Sequence, residues 1–208
     1  MNPAKIQFSE EESALLQQAD WLLTKNRIIG SIYDLMGLWS QDVLEREQEL
    51  RLRLPEEVFT ASPKISKGES YQGLPWVMLD QPRYFSKEQV FALRTFFWWG
   101  RHWTVTLHLK GDYTAIAGGL TQDQMDVLAR EGYVISGTGD EWDHHWVEQN
   151  GRSFRDITKK ELSQLVQQAP FIKIGKNISL NNWQRWYADI AAIRQCLLDL
   201  VPHQFPKR

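Results

Sequence analysis

The sequence predicts an α+β fold, a mainly antiparallel sheet packed with an N-terminal helix pair and a long C-terminal helix. Three observations carry this. Helical periodicity runs through residues 10–53 and returns at 183–200. Strict apolar/polar alternation occupies residues 102–109, the mark of a strand with two unlike faces. Turn signals at Gly111-Asp112 and Asn150-Gly151 join strand candidates through links too short for parallel crossovers. A chain of 208 residues is long enough to bury a core without disulfides or metals. It is expected to form one domain with a helical part at 1–54, a flexible connection at 55–75 and a sheet with helices at 76–208.

The elements follow in order. Ser9 and Glu12 form a capping box, and Leu15, Ala19 and Leu22 recur at helical spacing, which predicts a helix over 10–24. Ile28, Ile32, Leu35, Trp39, Val43 and Leu50 share a face, which predicts a second helix over 27–53, ended by Pro55. Periodicity then vanishes until residue 75, and the polar run 62–70 reads as flexible. Residues 76–80 read as a short buried strand. Ser86 with Gln89 opens a predicted helix over 87–97, which Gly100 ends.

At 102–109 the apolar set Trp103, Val105, Leu107 and Leu109 is expected to face inward. His102, Thr104, Thr106 and His108 then face water or a groove, since a slip of one residue would bury four polar groups. Residues 113–117 read as the return strand after Gly111-Asp112. Thr121 caps a helix over 122–131, and 133–136 is a strand. Asn150-Gly151 is expected at a hairpin tip with Gly151 at positive φ, flanked by 143–149 and 152–157. Residues 140–149 admit either strand or helix. Thr158 and Glu161 cap a helix to 168, residues 171–174 form a strand, and Asn181 or Asn182 opens the final helix.

Composition narrows the function classes. Lys and Arg number 24 against 26 acids, so the basic excess that phosphate neutralisation demands is missing. Nucleic-acid binding is accordingly disfavoured. Its one foothold is Arg94, Trp98, Trp99, Arg101, His102 and Trp103, where Arg and Trp stacking is conceivable. The single Cys196 lies in an apolar helical run and reads as a buried, inert thiol. No leader pattern occupies residues 1–20, and no apolar run reaches 18 residues, so a cytoplasmic location without membrane contact is expected.

No metal or cofactor signature appears. His102 and His108 lie roughly 20 Å apart along one strand and cannot share an ion. Glu141, His145 and Glu148 would share a face only if their segment were helical, and no ligand motif supports them. The Gly-rich run 136–140 lacks the third glycine and the Lys-Ser/Thr of phosphate loops and reads as a turn. A hydrolase-type enzyme using His and Asp groups around His108 and Asp143–His145 is one alternative function.

The leading expectation centres on Arg94, within an apolar run from Val90 to Trp99. A guanidinium there cannot deprotonate, so it must meet a carboxylate, several carbonyls or an anionic ligand. Asp80 is the nearest suitable acid. Arg94, Trp98, Trp99 and His108 are the expected ligand-binding residues, lining an aromatic-rich cleft under a mobile 63–73 loop. That cleft would take a small anionic ligand, or a protein partner.

Overall fold

The computed structural model describes residues 7–203. Part of the segment expected to carry no leader, residues 1–6, lies outside the described residues. The N-terminal helices are α1 (Glu10–Leu16), α2 (Ala19–Glu45) and α3 (Glu47–Arg53). After a 3-10 turn at Glu56–Phe59 come β1 (Lys64–Tyr71), β2 (Leu74–Phe85), β3 (Val90–Trp98) and β4 (His102–Lys110). Helices α4 (Ala115–Gly118) and α5 (Gln122–Arg130) precede β5 (Val134–Ser136), α6 (Trp146–Asn150) and β6 (Arg152–Ser153). Helix α7 (Lys159–Gln168), β7 (Ile172–Ser179) and α8 (Trp186–Asp199) complete the order. Among the described residues seven strands form one sheet, β1-β2-β3-β4-β7-β5-β6, with every pair antiparallel. This is the predicted α+β class.

One face of the sheet carries the helical core. Val77 and Leu79 of β2, Phe91, Leu93 and Phe97 of β3, and Trp103, Val105, Leu107 and Leu109 of β4 all join it. Helix α2 lays Ile29, Ile32, Met36, Trp39 and Val43 against them, and α8 adds Ile190, Ile193 and Leu197. Trp39 meets Trp103 edge to face at 5.4 Å and donates its indole N–H to the Tyr187 carbonyl at 3.1 Å, which ties α2 to α8. Helices α4, α5 and α7 extend the same core through Ile116, Ala117, Met125, Leu128 and Leu162. Each such fully buried side chain contributes about 1.5–3 kcal/mol of transfer free energy. The alternation in β4 therefore aims its four apolar residues at the helices, as the sequence predicts.

Several expectations are corrected. Residues 55–75 are not without regular structure, because they hold the 3-10 turn and the polar edge strand β1. Residues 90–98 form strand β3 and not a helix. Ser86 and Gln89 close a tight turn instead, Ser86 N–H donating to the Gln89 carbonyl at 2.8 Å. Residues 113–117 are helical and not a return strand. The break between the first two helices falls at residues 17–18 and not at 25–26, and a second break falls at Arg46. Asn150 ends helix α6, and Gly151 has φ −73°, so no hairpin with a positive-φ glycine stands there. Gly151 is small for another reason: a Cβ would stand 2.5 Å from the Val147 carbonyl oxygen.

Candidate anion site on the second face of the sheet

The opposite face of the sheet is polar and also buried. Cross-strand register places Asp80, Arg94 and Thr106 in one row and Ala92, His108 and Lys173 in the next. Thr104 and Asn177 extend the same face, and Thr104 donates its hydroxyl to Asn177 Oδ1 at 2.7 Å. His102, Thr104, Thr106 and His108 thus leave the helical core as alternation requires, yet each is buried. Residues 137–150 lie over them and place Trp146 and His144 on the sheet. Trp146 donates its indole N–H to Thr106 Oγ1 at 3.1 Å, and the His144 ring packs on Phe96 with centroids 4.6 Å apart.

Tyr71, at the end of β1, fastens this cover. Its phenol oxygen accepts from the His144 backbone N–H at 2.9 Å and donates to Asp143 Oδ1 at 2.5 Å. It also lies 2.6 Å from His145 Nδ1, and His145 Nδ1 lies 2.7 Å from Asp143 Oδ1. Burial, then the hydrogen bond to Asp143, raises the phenol's proton affinity far above its ordinary range. Tyr71 is therefore a clamp in its protonated form. Glu141 holds the other end, 2.8 Å from Lys110 Nζ and 3.3 Å from His108 Nε2. Glu148 stands 3.2 Å from His102 Nδ1.

Between sheet and cover is a cavity with about 10 Å³ of room for a water-sized sphere, enough for one such group. Arg94, Phe96, Thr104, Thr106, His108, Asp143, His144, Trp146 and Lys173 line it. Arg94 pairs bidentately with Asp80, Nε to Oδ1 at 2.7 Å and Nη2 to Oδ2 at 3.0 Å. Among the described residues its remaining nitrogen, Nη1, meets only His144 Nδ1 at 3.5 Å, the outer limit of a hydrogen bond. Lys173 Nζ donates to the Asp143 carbonyl at 2.9 Å, reaches that of Asp140 at 3.4 Å and lies 5.3 Å from the Phe171 ring, which leaves one of its three donors without an oxygen or nitrogen acceptor among the described residues.

The titration behaviour of the walls reports the field inside. Burial, then the charges of Lys173 and Arg94, pushes His108 down to about 2. Burial, then Arg94 and Lys173, pushes His144 down to about 3. Burial, then Arg94, lowers Lys173 to about 8. Both cations thus act on the two imidazoles, which stay neutral at pH 7.

Of the four residues the sequence marks for a ligand, Arg94 and His108 meet at this cavity. Trp98 shares their sheet face but stands further along it, donating its indole N–H to the Tyr71 carbonyl at 3.1 Å. Trp99 packs against the helical core beside Phe97. The expected cover, residues 63–73, is strand β1, and residues 137–150 take that place. Sequence reasoning missed Lys173, although the signal that exposed Arg94 is repeated there: a lone cation in the apolar run 171–174. Tyr71, Asp143 and His144 carry no comparable signal.

Glu141, His145 and Glu148 go to three different partners, Lys110, Asp143 and His102. No group of three or more His, Cys, Asp or Glu side chains among the described residues could hold a metal ion. Trp98 and Trp103 of the expected stacking platform are buried on opposite faces of the sheet, so the platform is not one surface. No helix among the described residues is long and apolar enough to cross a membrane. Compared with protein-family models, curated proteins and solved structures, the chain matches none of them.

Proposed function

We propose that this protein binds a small anionic ligand through a carboxylate, seated between the sheet and the 137–150 cover, with Arg94 and Lys173 as its cationic contacts. One observation carries the reading. Two buried cations converge on one cavity, and each keeps a donor that no acceptor among the described residues takes up at good geometry. Donors of buried cations are costly to leave unmet, and an anionic oxygen meets both. His108 and His144 serve as neutral walls that shape the seat.

The volume admits one oxygen at a time, so the anionic tip enters and the rest of the ligand lies outward, past the cover. Gly137 and Gly139 flank that cover at one end and Gly151 at the other, and Gly139 has φ +83°. Binding without catalysis fits the site better than hydrolysis does. The Asp143–His145 pair, the heart of the hydrolase alternative, is spent on a phenol whose proton affinity is raised, the opposite of an activated nucleophile.

Calorimetry with acetate, malonate and benzoate on the wild type and on Arg94→Lys tests this. Lys keeps the charge but loses the planar fork that grips Asp80 while offering Nη1. A folded Arg94→Lys protein is expected to bind the preferred carboxylate about 10- to 100-fold more weakly, a loss of about 1.4–2.7 kcal/mol. Affinity is also expected to fall as pH rises above about 8, where Lys173 loses its proton, by up to about tenfold per pH unit for one linked proton. Equal binding by both proteins, or no binding by the wild type, defeats the proposal.

A further inference from the structure

The N-terminal helices pose a separate problem. None of the residues from 7 to 28 is buried, and the first buried position of α2 is Ile29. Helix α1 has seven residues and no buried side chain. A helix that short does not hold itself together in water, where about 12–15 residues are marginal. Yet this stretch is apolar. Phe8, Leu15, Leu16, Trp21, Leu22 and Leu23 are all more than half exposed, and the first five line one open groove between α1 and the start of α2. A contiguous patch of that kind marks an interaction surface in a soluble chain.

The charges of this stretch, of which Glu12 lines the groove itself, select the occupant. Residues 8–24 contain Glu10, Glu11, Glu12 and Asp20 and no Lys, Arg or His. A second copy of the same surface would bring four more acids against these four. An anionic membrane would be repelled for the same reason. We infer that this groove docks a cationic amphipathic helix of a partner protein, its apolar side chains seated among Leu15, Leu16, Trp21 and Leu22 and its Lys or Arg residues toward Glu12 and the neighbouring acids of the stretch. The inference is independent of the anion site, which lies beyond the sheet on the face away from α2.

The probe is a Leu/Lys amphipathic peptide of about 14 residues, four helical turns. Its control has Glu at every Lys position. Fluorescence anisotropy on the full chain is expected to show saturable one-to-one binding of the Lys peptide, at least about tenfold tighter than the Glu peptide and weakening with salt. The Leu16→Ser/Leu22→Ser variant, changed only at exposed positions, should keep the wild-type circular dichroism and Tm and lose at least about tenfold in Lys-peptide affinity. Equal affinity for the two peptides overturns the inference, as does a variant that binds like the wild type. Two further results would assign the groove elsewhere and so also overturn it. One is a concentration-dependent wild-type dimer that the variant abolishes in sedimentation. The other is binding to phosphatidylcholine/phosphatidylglycerol vesicles that the variant abolishes.

Discussion

Mild acid is expected to weaken this fold before its carboxylates titrate. His108 and His144 are held neutral, pushed down to about 2 and about 3 by burial and by the two neighbouring cations. In the unfolded chain each imidazole protonates near pH 6.5. Below that value the unfolded state binds protons that the folded state refuses, so stability falls as pH falls. Above it neither state is charged and the contribution is constant. The limiting slope is about 1.4 kcal/mol per pH unit for each histidine. From pH 6.5 to 5 the two together remove about 3 kcal/mol, a large part of the 5–15 kcal/mol typical of a domain. His102, lowered by burial against the pull of Glu148, adds a contribution of the same sign. Urea unfolding followed by tryptophan fluorescence at several pH values measures this directly. His144→Phe is the matched perturbation, because that ring packs at a tilt against Phe96 and Tyr71 and a phenyl group fills the same space. It should flatten the slope by nearly half. A stability that stays level between pH 6.5 and 5, or a variant with the wild-type slope, would refute the reasoning.

Three further outcomes follow from the same geometry. Gly175→Ala should destabilise by about 3 kcal/mol or more, since a Cβ there would lie 2.1 Å from the Val105 carbonyl oxygen and force β4 and β7 apart; a Tm within a degree or two of wild type would contradict this. Asp80→Ala should cost about 3–5 kcal/mol by stranding the buried Arg94 guanidinium, while Asp80→Leu with Arg94→Met recovers most of the loss and abolishes anion binding. Denaturant melts of the single and double variants decide it, and a harmless Asp80→Ala would count against the pair. Tyr71→Phe should leave the sheet intact but speed hydrogen exchange across residues 140–148, because one hydroxyl serves Asp143, His144 and His145. Unchanged exchange there would show that the clamp does not hold the cover.

The legibility of the fold in the sequence follows how each element is buried. Strand β4 was readable because its two faces differ in chemistry, and α5 and α7 because Thr121 and Thr158 make true capping boxes. Strand β3 was not, because it is buried on both faces. A strand of that kind is a continuous apolar run without alternation. Ser86 misled for a related reason: a serine hydroxyl accepting the N–H three residues on, here Gln89 at 2.9 Å, serves a tight turn as well as a helix start. Strand β1 escaped notice as a polar edge, its ladder set by pairing with β2 and not by apolar content. At the site, Arg94 was visible as a charge where apolar residues surround it in sequence. Its partner Asp80 followed from the strand before it. The cover was not visible, since Tyr71 and His144 are 73 residues apart and meet only through the fold.

The central claim is that the cavity between Arg94 and Lys173 is an anion seat, and anomalous diffraction from crystals soaked in bromide tests it most directly. Bromide is a single-atom anion with a strong anomalous signal, larger than water, so seating it asks the cover to yield slightly around a cavity that takes one water-sized group. An anomalous peak is expected in contact with both Arg94 Nη1 and Lys173 Nζ, fading in crystals held above pH 9 as Lys173 loses its proton. Bromide confined to surface sites, with the cavity empty of anomalous signal at pH 7, would contradict it.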